Sequence, residues 1–396
     1  MTEIIDALVH HTWATQMELM EFMSPGWREF LGKPESLPNA GGAWNTSAFA
    51  AAGVMPALPT NPFRDPAGDK RPGTVAASGG PAGSDVELLR VQALHAPGIS
   101  RAVLGFDVGA LAPTHPNPWL ALEVVRAAND WSIARWLSGQ DNRLYGLVLV
   151  PNQLPTEAAS EIRRAGAHPR MVGVLMGGNG MARPFGHPIY HPIYEAAHEL
   201  GLPVVVSAGG DAPADTLSHP TAGGLPATYA EYRILGAGAL MSHLVSMVAQ
   251  GVFERFPGLR VVIAGAGFTW LPSVLFRFDT NFKALRREVP WLRDLPSEYV
   301  RRHVRLTAQP LDPAPVERVR RLLATVPWMA DILCFASAYP NRDMVNPDAV
   351  CRLLPARHRD AVLGANAMAL FRWPDRRPAP APPASDAVGA MPSGQA

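Results

Sequence analysis

The chain has 396 residues, 47% of them hydrophobic and 17% charged, and a net charge of +1. That balance belongs to a packed globular chain and excludes a disordered one. A near-zero net charge also supplies no global field for nucleic acid or an anionic membrane surface. No apolar run approaches the ~20 residues of a membrane helix. The opening Met1-Thr2-Glu3-Ile4-Ile5-Asp6 lacks the basic and apolar regions of a signal peptide, so a cytoplasmic protein with no membrane contact is expected. Cys334 and Cys351 are too few for a secreted disulfide framework.

Short apolar runs alternate with helical patterns, which predicts a parallel sheet with crossover helices. The predicted strands cover residues 4–9, 99–106, 144–150, 172–176, 202–208, 259–265, 304–307 and 332–336. Helical patterns fill about 86–95, 119–137, 157–165, 193–200 and 228–256, with a last one over 357–371. Eight strands in this alternation predict an α/β fold, a (β/α)8 TIM barrel spanning residues 1–373. An open doubly wound sheet would want a phosphate-binding glycine turn after its first strand, and His10-His11-Thr12-Trp13 is not one. Residues 33–84, rich in Gly, Pro and Ala, read as an insertion over the barrel mouth, a lid or an oligomer contact. The Pro/Ala-rich residues 374–396 read as a disordered tail.

Catalytic side chains of such a barrel sit at the C-terminal ends of its strands. Alternation along the first strand places Asp6, Leu8 and His10 on one face. A metal site would want ligands at 8 and 10, and Leu8 offers none. His10 reads as a lone metal donor or as a hydrogen-bonded barrel histidine; catalytic zinc takes about three protein ligands. The fifth strand ends at Ser207, a poor ligand, and a nucleophilic serine needs a positioned base that its sequence neighbours do not provide. The sixth ends at Gly265, which has no side chain to move a proton. The eighth runs into Ser337-Ala338-Tyr339-Pro340-Asn341, with Ala338 and Asn341 where an acid and an imidazole would be useful. Asp343 reads as a loop or helix-capping carboxylate. His243 lies inside a helical pattern and reads as a packing or capping residue. His187, His191, His198 and His219 read as loop-shaping residues or substrate contacts at the mouth. Trp119, Trp131, Trp136, Trp270 and Trp291 suit helix–barrel packing or an interface.

Residues 251–262, 267–272, 286–291 and 296–301 carry a more specific signal, framed by Ile4-Ile5-Asp6, His10-His11, Gly201-Leu202-Pro203-Val204 and Ala336-Ser337. On these the chain resembles the metal-dependent amidohydrolases related to aminocarboxymuconate-semialdehyde decarboxylase, the amidohydrolase 2 group. The resemblance implies an acid or histidine in place of Leu8, a histidine for Ser207, an aspartate for Ala338 and a histidine for Asn341. It implies a proton-transferring histidine or glutamate in place of Gly265. Of this set His10 alone is kept. It also implies an arginine that reaches into a neighbouring subunit, and Arg277 stands one residue from that place. One histidine with serine and asparagine oxygens does not replace the hydration shell of a divalent ion, so neither a metal nor another cofactor is expected.

Three functions follow as expectations. The first is a catalytically degenerate barrel acting as a non-catalytic or site-completing subunit, paired with an active amidohydrolase paralogue or with itself. The alternative is a metal-independent hydrolase, lactonase, cyclase or decarboxylase-like enzyme, acting on a small carboxylate or aromatic substrate. His10 and Arg277 are the catalytic candidates. A small-molecule binding module is the third possibility.

Overall fold

Eight strands follow one another in chain order and in space: β1 (Ile5–His11), β2 (Arg101–Phe106), β3 (Leu144–Leu149), β4 (Met171–Gly177), β5 (Val204–Ser207), β6 (Val261–Ala264), β7 (Val304–Thr307) and β8 (Leu333–Cys334). All seven neighbouring pairs are parallel. The computed structural model describes residues 3–32, 70–106, 117–139, 141–178, 183–207, 228–311 and 315–375. Residues 33–69 of the predicted insertion and 376–396 of the predicted tail lie outside these.

The last strand is short, and the backbone after it completes the ring. Ala7 N–H donates to Phe335 O at 2.9 Å, Ala338 N–H to Leu8 O at 3.1 Å, and His10 N–H to Tyr339 O at 2.7 Å. These bonds join the eighth position to the first and make the sheet a (β/α)8 barrel. Its interior is filled rather than hollow. A Cβ built on Gly105 of β2 would lie 2.6 Å from Leu8 Cδ1, 3.8 Å from Leu175 and 3.9 Å from Leu147. Side chains of β1, β3 and β4 therefore converge on the space that this glycine leaves open.

The helical stretch expected over 228–256 divides into three: Tyr229–Leu235, Ala237–Ala249 and Val252–Arg255. Gly251 ends the second with φ 72°, a left-handed conformation that glycine adopts without steric cost. Trp291 sits over it, 2.6 Å from where a Cβ would stand, and its indole N–H donates to Ala249 O at 2.8 Å. The break is thus built from one residue type and held by a distant tryptophan. By contrast, the helix Pro118–Ser132 starts on a strong cap, with Asn117 Oδ1 accepting from Trp119 and Leu120 N–H at 3.1 Å. No helix among the described residues is long and apolar enough to cross a membrane.

The same helix carries a buried polar clamp on the barrel. Asn129 is fully buried; its Oδ1 accepts from Leu149 N–H at 2.9 Å, and its Nδ2 donates to Leu149 O at 3.0 Å and Glu161 Oε1 at 2.7 Å. Arg164 in turn bonds Glu161 at 2.8 Å. Asn129 thus satisfies the end of β3 as a neighbouring strand would. Replacing it with alanine removes a partner from Leu149 N–H, Leu149 O and Glu161 Oε1; the last keeps Arg164, and a buried group left unsatisfied costs about 1–3 kcal/mol. Asn129→Ala is expected to lower the free energy of unfolding by about 2–4 kcal/mol in urea titrations, given partial relaxation. A loss below roughly 0.5 kcal/mol, the level of a surface substitution, would contradict this role.

Candidate functional site at the C-terminal end of the barrel

The mouth is organised around the turn after β8. Ala338 is buried in the left-handed region, at φ 54°, and its carbonyl accepts from Asn341 N–H at 2.9 Å. This conformation suits glycine, asparagine or aspartate better than alanine. Asn341 is held by the far end of the Gly/Pro-rich excursion. It forms an antiparallel bridge with Lys70, and its Oδ1 accepts from Lys70 Nζ at 2.7 Å. Arg71 N–H donates to Pro340 O at 3.0 Å, and Thr12 N–H to Gly83 O at 3.1 Å. Residues 70–83 therefore run across the ends of β8 and β1.

The structure distributes the other sequence candidates as follows. Leu8 is buried in the barrel interior against Gly105. His10, half-buried, is tied through its backbone to Tyr339 in the turn. His11 beside it is wholly structural: Nδ1 meets Gly105 O at 2.7 Å, Nε2 meets Ser132 Oγ at 2.8 Å, and the ring packs among Phe106, Trp131 and Trp136. Ser207 is buried at the end of β5, where its carbonyl would be 2.9 Å from a Cβ on Gly178. Gly265 has φ 78°, which disfavours any side chain there, and its N–H donates to Thr307 Oγ1 at 2.9 Å. Arg277 projects from the exposed side of the helix Leu271–Leu285, and among the described residues its guanidinium has no ion-pair partner.

Of its two expected roles, Asp343 takes that of a loop carboxylate; Asn346 caps the helix that follows. Asp343 accepts from Arg233 and, at 2.8 Å, from Gln309 Nε2, joining the helix Tyr229–Leu235 to the segment after β7. His243 is a buried brace: Nε2 meets Gly178 O at 2.7 Å, Nδ1 accepts from Phe185 N–H at 3.1 Å, and the ring stacks on Phe185. Burial pushes its pKa down to about 4, so it is neutral and fixed in one tautomer. His187 caps the turn Pro188–Tyr190, His191 opens the helix that follows, and His198 packs against Gly258. His219 lies outside the described residues, as do Asp107, His115, Asp211 and Asp215. Cys334 and Cys351 are free thiols, and burial pushes Cys334 up to about 12. Lys70 and Gln309 are the residues that reasoning along the strands missed. A signal for Lys70 existed, since only three of the 35 basic residues are lysines.

Asp6 did not prompt a role from sequence, yet it sits at the seam between β1 and β8. It is completely buried; Oδ1 accepts from Ser337 N–H at 2.9 Å and Leu8 N–H at 3.2 Å. Oδ2 has no hydrogen-bond partner among the described residues. The register of β1 against β2 slips between Asp6 and Val9, which interrupts the simple alternation from Asp6 through Leu8 to His10. Burial raises the carboxyl from its ordinary 3.8 to about 7, an effect that the neighbouring Ser337 hydroxyl and the two amides only partly offset.

Among the described residues, three of the strand-end positions give a divalent ion no donor side chain. Leu8 is packed hydrocarbon, Ala338 offers a methyl group and Gly265 a left-handed backbone. Among the described residues no three His, Cys, Asp or Glu side chains come together as a ligand group, whereas such ions are held by several anionic or imidazole donors.

Comparison with known proteins fixes the family. The amidohydrolase family model matches residues 10–373, and the chain belongs to that family. It is 25% identical over 207 residues to the gamma-resorcylate decarboxylase of Rhodococcus jostii (strain RHA1), a stretch of 49% of this chain and 60% of that protein. The chain thus matches about three-fifths of the length of that curated relative. Among solved structures, the 5-carboxyvanillate decarboxylase of Sphingomonas paucimobilis superposes with a TM-score of 0.62 at 20% identity, covering 94% of this chain and 100% of that one. A 5-carboxyvanillate decarboxylase of Novosphingobium aromaticivorans, solved with manganese, gives a TM-score of 0.60 at 18% identity, over 92% of this chain and 95% of that one. At such identities the structures establish the shared barrel.

The buried seam carboxylate generates a pH prediction. Between 3.8 and about 7 the folded chain holds a proton on Asp6 that the unfolded chain releases. Its contribution to stability therefore falls as pH rises through that interval and levels off above it. Asp6→Asn keeps an oxygen for both amides but cannot ionise. Denaturant midpoints measured from pH 5 to 8 should decline less steeply in Asp6→Asn than in the natural chain. Equal slopes would rule out ionisation of Asp6 as the cause.

Proposed function

We propose that the chain is a decarboxylase-like amidohydrolase that takes a small aromatic carboxylate and works without a divalent ion, with His10 handling the proton. The observation that carries this reading is the composition of the mouth. Half-buried His10 at the end of β1 is tied to Tyr339 O through its backbone N–H, the Lys70 ammonium bonds the Asn341 side chain, and among the described residues no three donor side chains gather as a ligand set for a metal. The named relatives support the substrate class, being decarboxylases of carboxylated phenols. In such a reaction the ring carbon–carboxylate bond breaks, carbon dioxide leaves, and the electron pair left on the ring takes up a proton. An acid placed at the ring supplies that proton, and a histidine is suited to the task near neutral pH.

One observation favours a second reading, a non-catalytic subunit that completes the site of an active amidohydrolase relative. Leu8 is interlocked with Gly105, so the interior is repacked for stability where the resemblance implies a ligand. The exposed Phe276 and Arg277 on the helix Leu271–Leu285 would suit a contact with such a partner.

Turnover decides between them. Chelator-treated protein should release carbon dioxide from gamma-resorcylate or 5-carboxyvanillate, and His10→Ala should slow release by about 100-fold or more, the scale of a lost general acid. Turnover restored only by manganese, or unaffected by His10→Ala, would contradict the first reading. Silence of the pure chain, together with higher activity when it is co-expressed with an active relative, would establish the second.

A further inference from the structure

We infer that the helix Tyr229–Leu235 is a strap across the barrel mouth, hinged at Gly236–Gly238 and latched by Arg233 to Asp343, and that its release opens the way to His10. Such a device serves either functional reading. Two anchor points define the span. At one end the helix Ala237–Ala249 is fixed beside β4: Leu240 Cδ2 lies 3.3 Å from where a Cβ on Gly178 would stand, and His243 Nε2 meets Gly178 O at 2.7 Å. Ser246 Oγ continues that attachment, accepting from Gly186 N–H at 3.2 Å. At the other end Arg233 donates to Asp343, in the segment after β8. β4 and β8 stand opposite one another in the closed ring of eight. Residues 233–240, with roughly 10 Å of helical rise, therefore run from one side of the mouth towards the other, and the arginine side chain completes the crossing.

The two ends are held differently. The helix Ala237–Ala249 buries Leu240, His243, Leu244, Met247 and Val248. In the helix Tyr229–Leu235 the described side chains, Ala230, Glu231, Arg233, Ile234 and Leu235, are all exposed, Ile234 at 78%. An element with so little buried apolar surface opens at low cost. What it offers the far side of the mouth is a charge-assisted contact. Gln309 is buried and donates to Asp343 at 2.8 Å, so the catch stays in place when the strap leaves it. Between the two helices the chain passes Gly236, Ala237 and Gly238, and a Cβ on Gly238 would meet nothing within 4 Å. Small residues with open space around them suit a hinge, which must absorb the φ/ψ change of a moving lid. His10 lies near the end of β1, next to β8 in the ring, on the latched side of the mouth.

Accessibility tests this without any ligand or turnover. The full chain, Arg233→Met, Arg233→Lys and Asp343→Asn, the last keeping an acceptor for Gln309, would be treated with diethyl pyrocarbonate. Peptide mass spectrometry would locate the modified histidines, with exposed His198 as the reference and thermal melts to verify folding. His10 should react at least about 3-fold faster in Arg233→Met and in Asp343→Asn, the scale of one partly exposed ion pair, with His198 unchanged. Arg233→Lys should fall between these and the natural chain. In sodium chloride at about 1 M the natural chain should approach the rate of Arg233→Met. Hydrogen exchange should quicken over residues 231–235 and stay as it was over 241–249, the mark of a strap turning on its hinge. Equal His10 rates in the natural chain and in folded Arg233→Met and Asp343→Asn would overturn the inference. So would exchange that quickens through 241–249 as well, because the whole crossover would then have loosened.

Discussion

Closure of the barrel between β1 and the backbone after β8 is the constraint on which the site depends. Three backbone hydrogen bonds and the buried Asp6 carboxyl define that seam, using the amides of Ala7, His10, Ser337 and Ala338. The seam places Leu8 inside, His10 at the mouth, and the left-handed Ala338 at the head of the turn that carries Asn341. It also supplies the edge to which residues 70–83 attach. A change in the seam therefore reaches the packing, the imidazole and the ammonium together.

The architecture was legible because its signals are periodic and apolar. Each predicted strand lies within a few residues of an observed one, and short buried runs such as Val204–Ser207 and Val261–Ala264 need no tertiary information to be seen. The long helix over 228–256 was misread because hydrophobic periodicity continues through Gly236 and Gly251, while the break depends on a left-handed glycine under a tryptophan forty residues away in sequence. Asp343 is the loop carboxylate rather than the helix cap of the two expected, and its linking role was hidden for a similar reason. Its partners, Arg233 and Gln309, are brought to it by two different crossovers.

The site was legible in part. That Leu8, Gly265 and Ala338 could not hold an ion follows from residue type. How they are used instead did not: Leu8 fills the volume left by Gly105, and Gly265 takes a backbone conformation hostile to a side chain. The motifs that most clearly mark the family describe packing. Gly251 lies under Trp291, Phe253 stacks on His303 at 4.7 Å, and Glu254 accepts from the Tyr299 hydroxyl. These contacts are made around the helices that lead into β6 and β7, so they preserve the barrel whatever chemistry its mouth performs. Lys70 escaped notice because nothing along the chain ties residue 70 to residue 341.

The central proposal is that this amidohydrolase barrel uses packing and polar contacts where the family resemblance implies ion-binding strand ends. Metal analysis of the purified full chain, after equilibration with manganese and zinc and exhaustive dialysis, tests it most directly. The account predicts metal far below stoichiometry and a melting temperature unchanged by either ion. One tightly held ion per chain, released only by a chelator and raising the melting temperature, would contradict it.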